Sequence, residues 1–131
     1  MNSNELLTTF TMDCEQVEAH QGGPPSWELG ERAIRGFCET LLAHGLGATL
    51  FVVPEAAGYH RQCFHELHRT GVEIGLHYHP QDHGHPDFLG AFTADEQREM
   101  LAEATATWAG ALGWAPRVFR PGNFSANDAT F

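Results

Sequence analysis

Residues 48–53 (ATLFVV) constrain the fold most, because they form a short, almost entirely apolar run that ends at Pro54. A strand of this composition is normally covered on both faces, as in a parallel sheet flanked by helices. Segments with strand character also occur at 7–13, 72–78 and 118–120, and segments with helical spacing separate them. This alternation predicts an α/β fold built of βαβ units around one parallel sheet.

The predicted helices carry recognisable boundary signals. Ser26 is a candidate N-cap for a first helix, and a second helix is expected at about residues 60–70. Thr93 and Glu96 form a capping box that begins a third helix, which Gly113 ends. A chain of 131 residues is long enough for one core, so residues 1–131 are expected to form a single domain.

Composition excludes some classes of partner. The 17 acidic residues outnumber the 7 lysines and arginines, and a net charge of −10 argues against nucleic acid or an anionic membrane as the partner. The first residues lack the pattern of a signal peptide, and no run of 18 apolar residues occurs. The odd set of Cys14, Cys38 and Cys63 does not describe a disulfide framework, so we expect reduced thiols and a cytoplasmic protein.

Two carboxylates follow the first predicted strand. Asp13 and Glu15 are two residues apart, so in an extended segment their side chains face the same way. Carboxylates this close repel one another unless a cation or a shared proton lies between them. A metal site with a neighbouring general base would use both, whereas the alternative is a solvated acidic turn.

Four histidines occur within nine residues at the end of the third strand. His77 and His79 share a face of the strand, and His83 and His85 follow in the loop. Imidazole is a favoured ligand of zinc, nickel, cobalt and iron, so the cluster predicts a metal site. The alternative is a polar loop without a metal. The histidines of the second predicted helix are interpreted as surface residues: His60, His65 and His68.

An arginine marks the end of the fourth strand. Arg120 precedes Pro121 and Gly122, and from a strand end it can reach sideways to a carboxylate and bind it through two nitrogens. The alternative is an ordinary surface arginine before a turn.

The sequence segments that carry these residues together resemble the motifs of the NodB-homology polysaccharide deacetylases, a family of carbohydrate esterases. The matching segments are TMDCE at 11–15, EIGLH at 73–77 and FRPG at 119–122, and ATLFVV at 48–53 is similar to a strand of the family. The resemblance spans nearly the whole chain. It implies that the sheet is a portion of a distorted (β/α) barrel of the NodB type.

The resemblance also implies roles for four residues. Asp13 corresponds to the catalytic base and Glu15 to the acidic metal ligand. His77 corresponds to the first histidine ligand, and Arg120 to the residue that orients the base.

The sequence departs from the family pattern at two places. Cys14 separates two acids that are adjacent in many members, and Gln81 stands at the usual position of the second histidine. Either His79 or His83 must therefore replace that ligand, and strand geometry favours His79, which aligns with His77.

The resemblance implies a metal-dependent hydrolase that removes an acetyl group from a sugar or polysaccharide, cleaving a C–N bond that is not a peptide bond. The ligand set suits zinc, with cobalt, nickel and iron left open. The alternatives are an inactive metal- or glycan-binding module and a different metal-dependent amidohydrolase. The family's later motifs, including a histidine that acts as general acid, are absent, so we expect part of a longer protein or a shortened one. An open sheet with apolar edges is also expected to associate with other copies of the chain.

Overall fold

Four parallel strands form the centre of the molecule. The computed structural model describes residues 6–17 and 26–131. The strands are β1 (Thr11–Cys14), β2 (Thr49–Val52), β3 (Glu73–Tyr78) and β4 (Phe119–Pro121). Their order in the sheet is their order in the chain, and every neighbouring pair is parallel. The predicted α/β fold with a parallel sheet is therefore confirmed.

Helices connect the strands in the part of the chain that is described. They are α1 (Trp27–Ala43), α2 (Pro54–Tyr59), α3 (Arg61–Arg69) and α4 (Ala94–Leu112). The Ser26 hydroxyl accepts a hydrogen bond from the Leu29 N–H at 3.3 Å, and the capping box of Thr93 and Glu96 is complete, as predicted. None of these helices is long and apolar enough to cross a membrane.

Strand β2 lies in the middle of the core. Leu50 and Val52 are fully buried and Phe51 nearly so, as its apolar sequence predicts. Trp108 of α4 is also fully buried, and its indole N–H donates a hydrogen bond to the Val52 carbonyl at 3.1 Å. The indole thus fills the space over the sheet and still satisfies its one polar group.

The first strand is shorter than the sequence predicts. We expected it to begin at residue 7, but β1 begins at Thr11, opposite Thr49 at the start of β2. Residues before Thr11 extend past the beginning of their partner strand. Leu6 and Leu7 are 89% and 80% exposed, so these apolar residues are not part of the sheet, although their composition favoured a strand.

The second predicted helix, at about residues 60–70, is α3, and a separate short helix that was not predicted, α2, comes directly before it. Pro54 lies two residues after the end of β2 and is the first residue of α2, where proline is favoured. His60 lies at the junction of α2 and α3, where the break in the helix turns its ring inward against Trp27 and Phe64. The prediction that His60 is a surface residue is therefore wrong, because only 4% of it is exposed.

Gly75 allows β3 to approach Val118, the residue before β4, unusually closely. A Cβ atom at this position would lie 2.4 Å from the Cγ2 atom of Val118 and 2.5 Å from its carbonyl oxygen. No side chain fits in that space, and the Val118 carbonyl accepts a hydrogen bond from the Leu76 N–H at 3.0 Å. Glycine at this place therefore permits the close approach of β3 to Val118.

We predict that the His60→Gln variant loses less free energy of unfolding on acidification than the wild type does. Burial lowers the pKa of His60, although the nearby Glu31 carboxylate acts in the opposite direction. The unfolded chain therefore binds the proton more readily than the folded chain, and the free energy of unfolding decreases as the pH falls below about 6.5. Urea unfolding at several pH values between about 5 and 8 should show a weaker pH dependence for His60→Gln than for the wild type.

A histidine on the surface provides the control for this measurement. His44 is exposed at the C-terminal end of α1, so His44→Gln tests whether the loss of any histidine changes the pH dependence. The same pH dependence in all three proteins would contradict the assignment of this effect to His60.

Candidate metal centre

Polar side chains from three strands meet at the carboxyl edge of the sheet. His77 of β3 lies opposite Arg120 of β4 in the parallel register, and Asp13 and Glu15 lie at the end of β1. His79 follows β3 directly and shares the face of His77. All five residues predicted from the sequence therefore lie in one place.

Three atoms of this group converge on one point. The Oε1 atom of Glu15 lies 2.9 Å from Nε2 of His77 and 3.0 Å from Nε2 of His79, and the two nitrogens are 3.1 Å apart. His77 is 2% exposed, whereas the side chain of Glu15 is 43% exposed. The cluster is thus closed on the side of the sheet and open towards solvent.

The hydrogen bond at the far side of His77 decides what its Nε2 atom can offer. Nδ1 of His77 lies 2.8 Å from the carbonyl oxygen of Arg120, and because a carbonyl only accepts, Nδ1 carries the proton. In a neutral ring Nε2 then presents a lone pair to the carboxylate and to His79. Lone pairs placed this close together require a proton or a cation between them.

The pKa values reflect this crowding of acceptors. The hydrogen bond from His77 lowers the pKa of Glu15 to about 2, against the opposing effect of burial. Burial lowers the pKa of His77, but the bonds to Glu15 and to the Arg120 carbonyl and the charge of Asp13 outweigh it and raise this pKa above its ordinary value. A positive charge is thus favoured at the point where the three atoms meet.

A divalent cation fits this donor set. Glu15, His77 and His79 form a group of donor atoms compact enough to share one ion. Ligands about 2.0–2.1 Å from zinc stand about 3.3 Å apart in a tetrahedron and about 2.9 Å apart in an octahedron. Two imidazoles and one carboxylate suit first-row divalent metals and leave further positions for water or substrate.

Asp13 stands beside these three donors rather than among them. Its Oδ2 atom lies 3.8 Å from Nε2 of His77, while its Oδ1 atom accepts a hydrogen bond from Nη1 of Arg120 at 2.6 Å. We expected Arg120 to bind this carboxylate through two nitrogens, and that detail is wrong. The second nitrogen, Nη2, donates instead to the Thr11 hydroxyl at 2.9 Å.

The structure separates the two candidates for the second histidine. His79 belongs to the cluster, whereas Nε2 of His83 lies 3.5 Å from Glu55 and its ring stacks on Tyr78. The reason is local: His79 continues the alternation of β3, while the 3₁₀ turn Pro80–His83 carries His83 away from it. Gln81, at the usual place of the second histidine, lies on that turn.

Gly122 was not predicted to take part in the site. A Cβ atom at this position would lie 2.4 Å from Nδ1 of His79 and 2.6 Å from its Cγ atom. The His79 ring therefore packs directly on the backbone of the turn after β4, and a side chain there would displace it. The Pro-Gly pair after Arg120 was the available signal, and we interpreted it only as a turn.

The three thiols lie in the core, away from the donor cluster. Cys14 faces inward between Asp13 and Glu15, and Cys38 and Cys63 are also buried. Burial raises the pKa of Cys38 and of Cys63 to about 11 and that of Cys14 still further. The thiols are therefore protonated at neutral pH and are poor ligands for a metal.

Comparison with known sequences assigns the family. Residues 23–131 match the polysaccharide deacetylase family, which is most of the chain. The chain belongs to that family. Active proteins of this family deacetylate polysaccharides and depend on a divalent metal, and some of the proteins that share its fold are pseudoenzymes. None of the curated protein sequences matches the chain.

Solved structures of this family share the fold. A family 4 carbohydrate esterase pseudoenzyme from Bacillus anthracis has a TM-score of 0.67 at 20% identity, over 97% of this chain and 39% of its own. A peptidoglycan deacetylase from Bacillus subtilis has a TM-score of 0.61 at 19% identity, over 99% and 55%. A family 4 acetyl xylan esterase from Clostridium thermocellum, in complex with a cobalt ion, has a TM-score of 0.62 at 20% identity, over 93% and 51%. The chain spans about two fifths to just over half of these proteins.

We predict that Gly122→Ala weakens metal binding without unfolding the chain. The new methyl group overlaps the His79 ring, and the side chain can relieve the overlap only by rotating its Nε2 atom away from Glu15 and His77. The zinc affinity, measured by calorimetric titration, should fall at least about tenfold.

Gly110→Ala provides the matched control. Gly110 lies within α4 with no atom near its Cβ position, so alanine there should stabilise the helix by about 0.5–1 kcal/mol and leave zinc binding unchanged. Equal zinc affinity in the two variants would show that Gly122 does not set the position of His79.

Proposed function

We propose that this chain provides the metal site and the general base of a hydrolase that removes acetyl groups from an acetylated sugar or polysaccharide. One observation supports this most: three donor atoms lie about 3 Å apart beside a carboxylate that an arginine holds in place. Glu15, His77 and His79 would hold the divalent metal, for which zinc is our first choice. When bound, such an ion polarises the acetyl carbonyl and lowers the pKa of water.

Asp13 is the proposed base. Its carboxylate lies outside the donor cluster but faces the same space, with Oδ2 at 3.8 Å from Nε2 of His77. A carboxylate in this position can accept the proton of a water molecule that attacks the acetyl group. Arg120 holds the other oxygen of Asp13 and keeps it from turning towards the cluster.

A second candidate function is an inactive metal- or glycan-binding module. The leaving amine must receive a proton, and the two histidines of the loop that follows His79 face other groups. His83 lies near Glu55 and His85 packs edge-on against Phe92. No group among the described residues is thus assigned as the general acid, and one of the proteins with this fold is itself a pseudoenzyme.

Metal binding tests the part of the proposal that the hydrolase shares with a metal-binding module. We expect one equivalent of zinc in the wild type, and an affinity more than about 100-fold lower in His77→Ala, because the most buried ligand is lost. His44→Ala removes an exposed histidine of α1 and should bind zinc like the wild type. Failure of the wild type to bind zinc, cobalt or nickel would reject the hydrolase and the metal-binding module, and would leave only a module that binds glycan.

Turnover separates the two candidates. Zinc-loaded wild type should release acetate from N-acetylated amino-sugar oligomers, and Asp13→Asn should lower kcat by about 100-fold or more while it keeps the metal. Zinc binding without release of acetate would favour the inactive module. Release from cyclic or linear amides but not from amino sugars would instead indicate a different amidohydrolase.

A further inference from the structure

The guanidinium group of Arg120 has four partners among the described residues: Asp13, Thr11, the Phe51 ring and, at 5.6 Å from its Cζ atom, the exposed ring of Phe124. Nη1 donates to Asp13 at 2.6 Å, and Nη2 donates to the Thr11 hydroxyl at 2.9 Å. The Cζ atom lies 4.0 Å from the centre of the Phe51 ring. The two hydrogen bonds fix the group within its plane, and the ring supports one face of it.

The pair of Arg120 and Asp13 does not fix its own geometry. The side chains of Arg120 and Asp13 are 20% and 33% exposed, and an ion pair of this exposure contributes little by itself. The guanidinium carries five N–H donors, so it can meet one carboxylate oxygen in several orientations. Another contact must select the orientation that the structure shows.

Thr11 and Phe51 are placed to select it. Thr11 lies two residues before Asp13 on β1, so both side chains face the same way. Phe51 is the residue of β2 that pairs with Asp13. Hydroxyl, carboxylate and ring therefore form one continuous surface against which a single guanidinium packs.

We propose that Thr11 and Phe51 are positioning residues, which set the orientation of Arg120 and through it that of Asp13. The inference rests on the proposed function for its catalytic consequence, but not for the orientation itself. If Thr11 and Phe51 had only a structural role, their substitution would change the stability of the fold and leave the guanidinium of Arg120 as ordered as in the wild type. A positioning role predicts that they release Arg120 while the fold persists.

Magnetic resonance of the guanidinium group tests this without any assay of activity. Hydrogen bonds and stacking slow rotation about the Cζ–N bonds, so the wild type should show separate Nη proton signals, assigned by their loss in Arg120→Lys. The signals should merge in Thr11→Val, which keeps the shape but loses the hydroxyl, and return in Thr11→Ser. They should also merge in Phe51→Leu. Merged signals in the wild type, or separate signals in both Thr11→Val and Phe51→Leu, would overturn the proposal.

Matched controls keep the result specific. Thr40→Val removes a hydroxyl that bonds to the Gly36 carbonyl on α1, and Phe64→Leu removes a fully buried ring of α3. Both should keep the separate Arg120 signals of the wild type. If Phe51→Leu does not fold, the pair of Thr11→Val and Thr11→Ser still decides the question.

Kinetics of the zinc-loaded chain on N-acetylated amino-sugar oligomers distinguish the two proposals. Thr11→Val should lower kcat by about 10- to 100-fold with KM nearly unchanged, and Thr11→Ser should restore it. If the wild type shows separate Arg120 Nη signals but no turnover, the proposed function is rejected and the positioning of Arg120 is retained. Turnover in Thr11→Val and Phe51→Leu equal to that of the wild type would reject the positioning role and retain the function.

Discussion

The candidate site depends on the bend of the sheet. Arg120 on the last strand contacts Thr11 and Asp13 on the first, although two strands lie between them. Three strand spacings amount to roughly 14 Å on a flat sheet, about twice the reach of an arginine side chain. The sheet must therefore curve strongly, and Gly75 permits the close approach of β3 to Val118, the residue before β4. The inner surface of a barrel is thus already formed by four strands.

Electrostatics explain why the polar residues at this edge belong together. The carbonyl of Arg120 fixes the proton of His77 on Nδ1, and the lone pair that remains faces an anionic carboxylate and a second imidazole. Such an arrangement is unfavourable unless positive charge enters it. The same requirement holds in a protein that hydrolyses a substrate and in one that only binds the metal, so the cluster alone identifies a centre and not a reaction.

The sequence predicted the features that depend on local pattern. The parallel sheet followed from the alternation of elements, and the gathering of five polar residues followed from their places at strand ends. The position of His79 beside His77, which His83 does not share, followed from the period of a strand. These features succeed because they need only the direction of a side chain along a regular element.

What the sequence could not predict depends on contacts between distant residues. The inward position of His60 arises from a break between two helices, and helical periodicity gives no sign of it. The packing of His79 on Gly122 and the bond from Arg120 to Thr11 join residues far apart in the chain. Each of these contacts exists only in the folded chain, so a pattern read along the sequence does not contain them.

Arg120 serves the site through two chemically independent groups. Its side chain holds Asp13, while its main-chain carbonyl holds the ring of His77. Any amino acid at this position supplies the carbonyl, but only arginine supplies the planar pair of donors. A single substitution could therefore abolish support of the proposed base, Asp13, and leave the proposed metal ligand, His77, undisturbed. Descent with such changes offers a direct evolutionary route from a catalyst to a protein that retains its ion but no longer turns over a substrate.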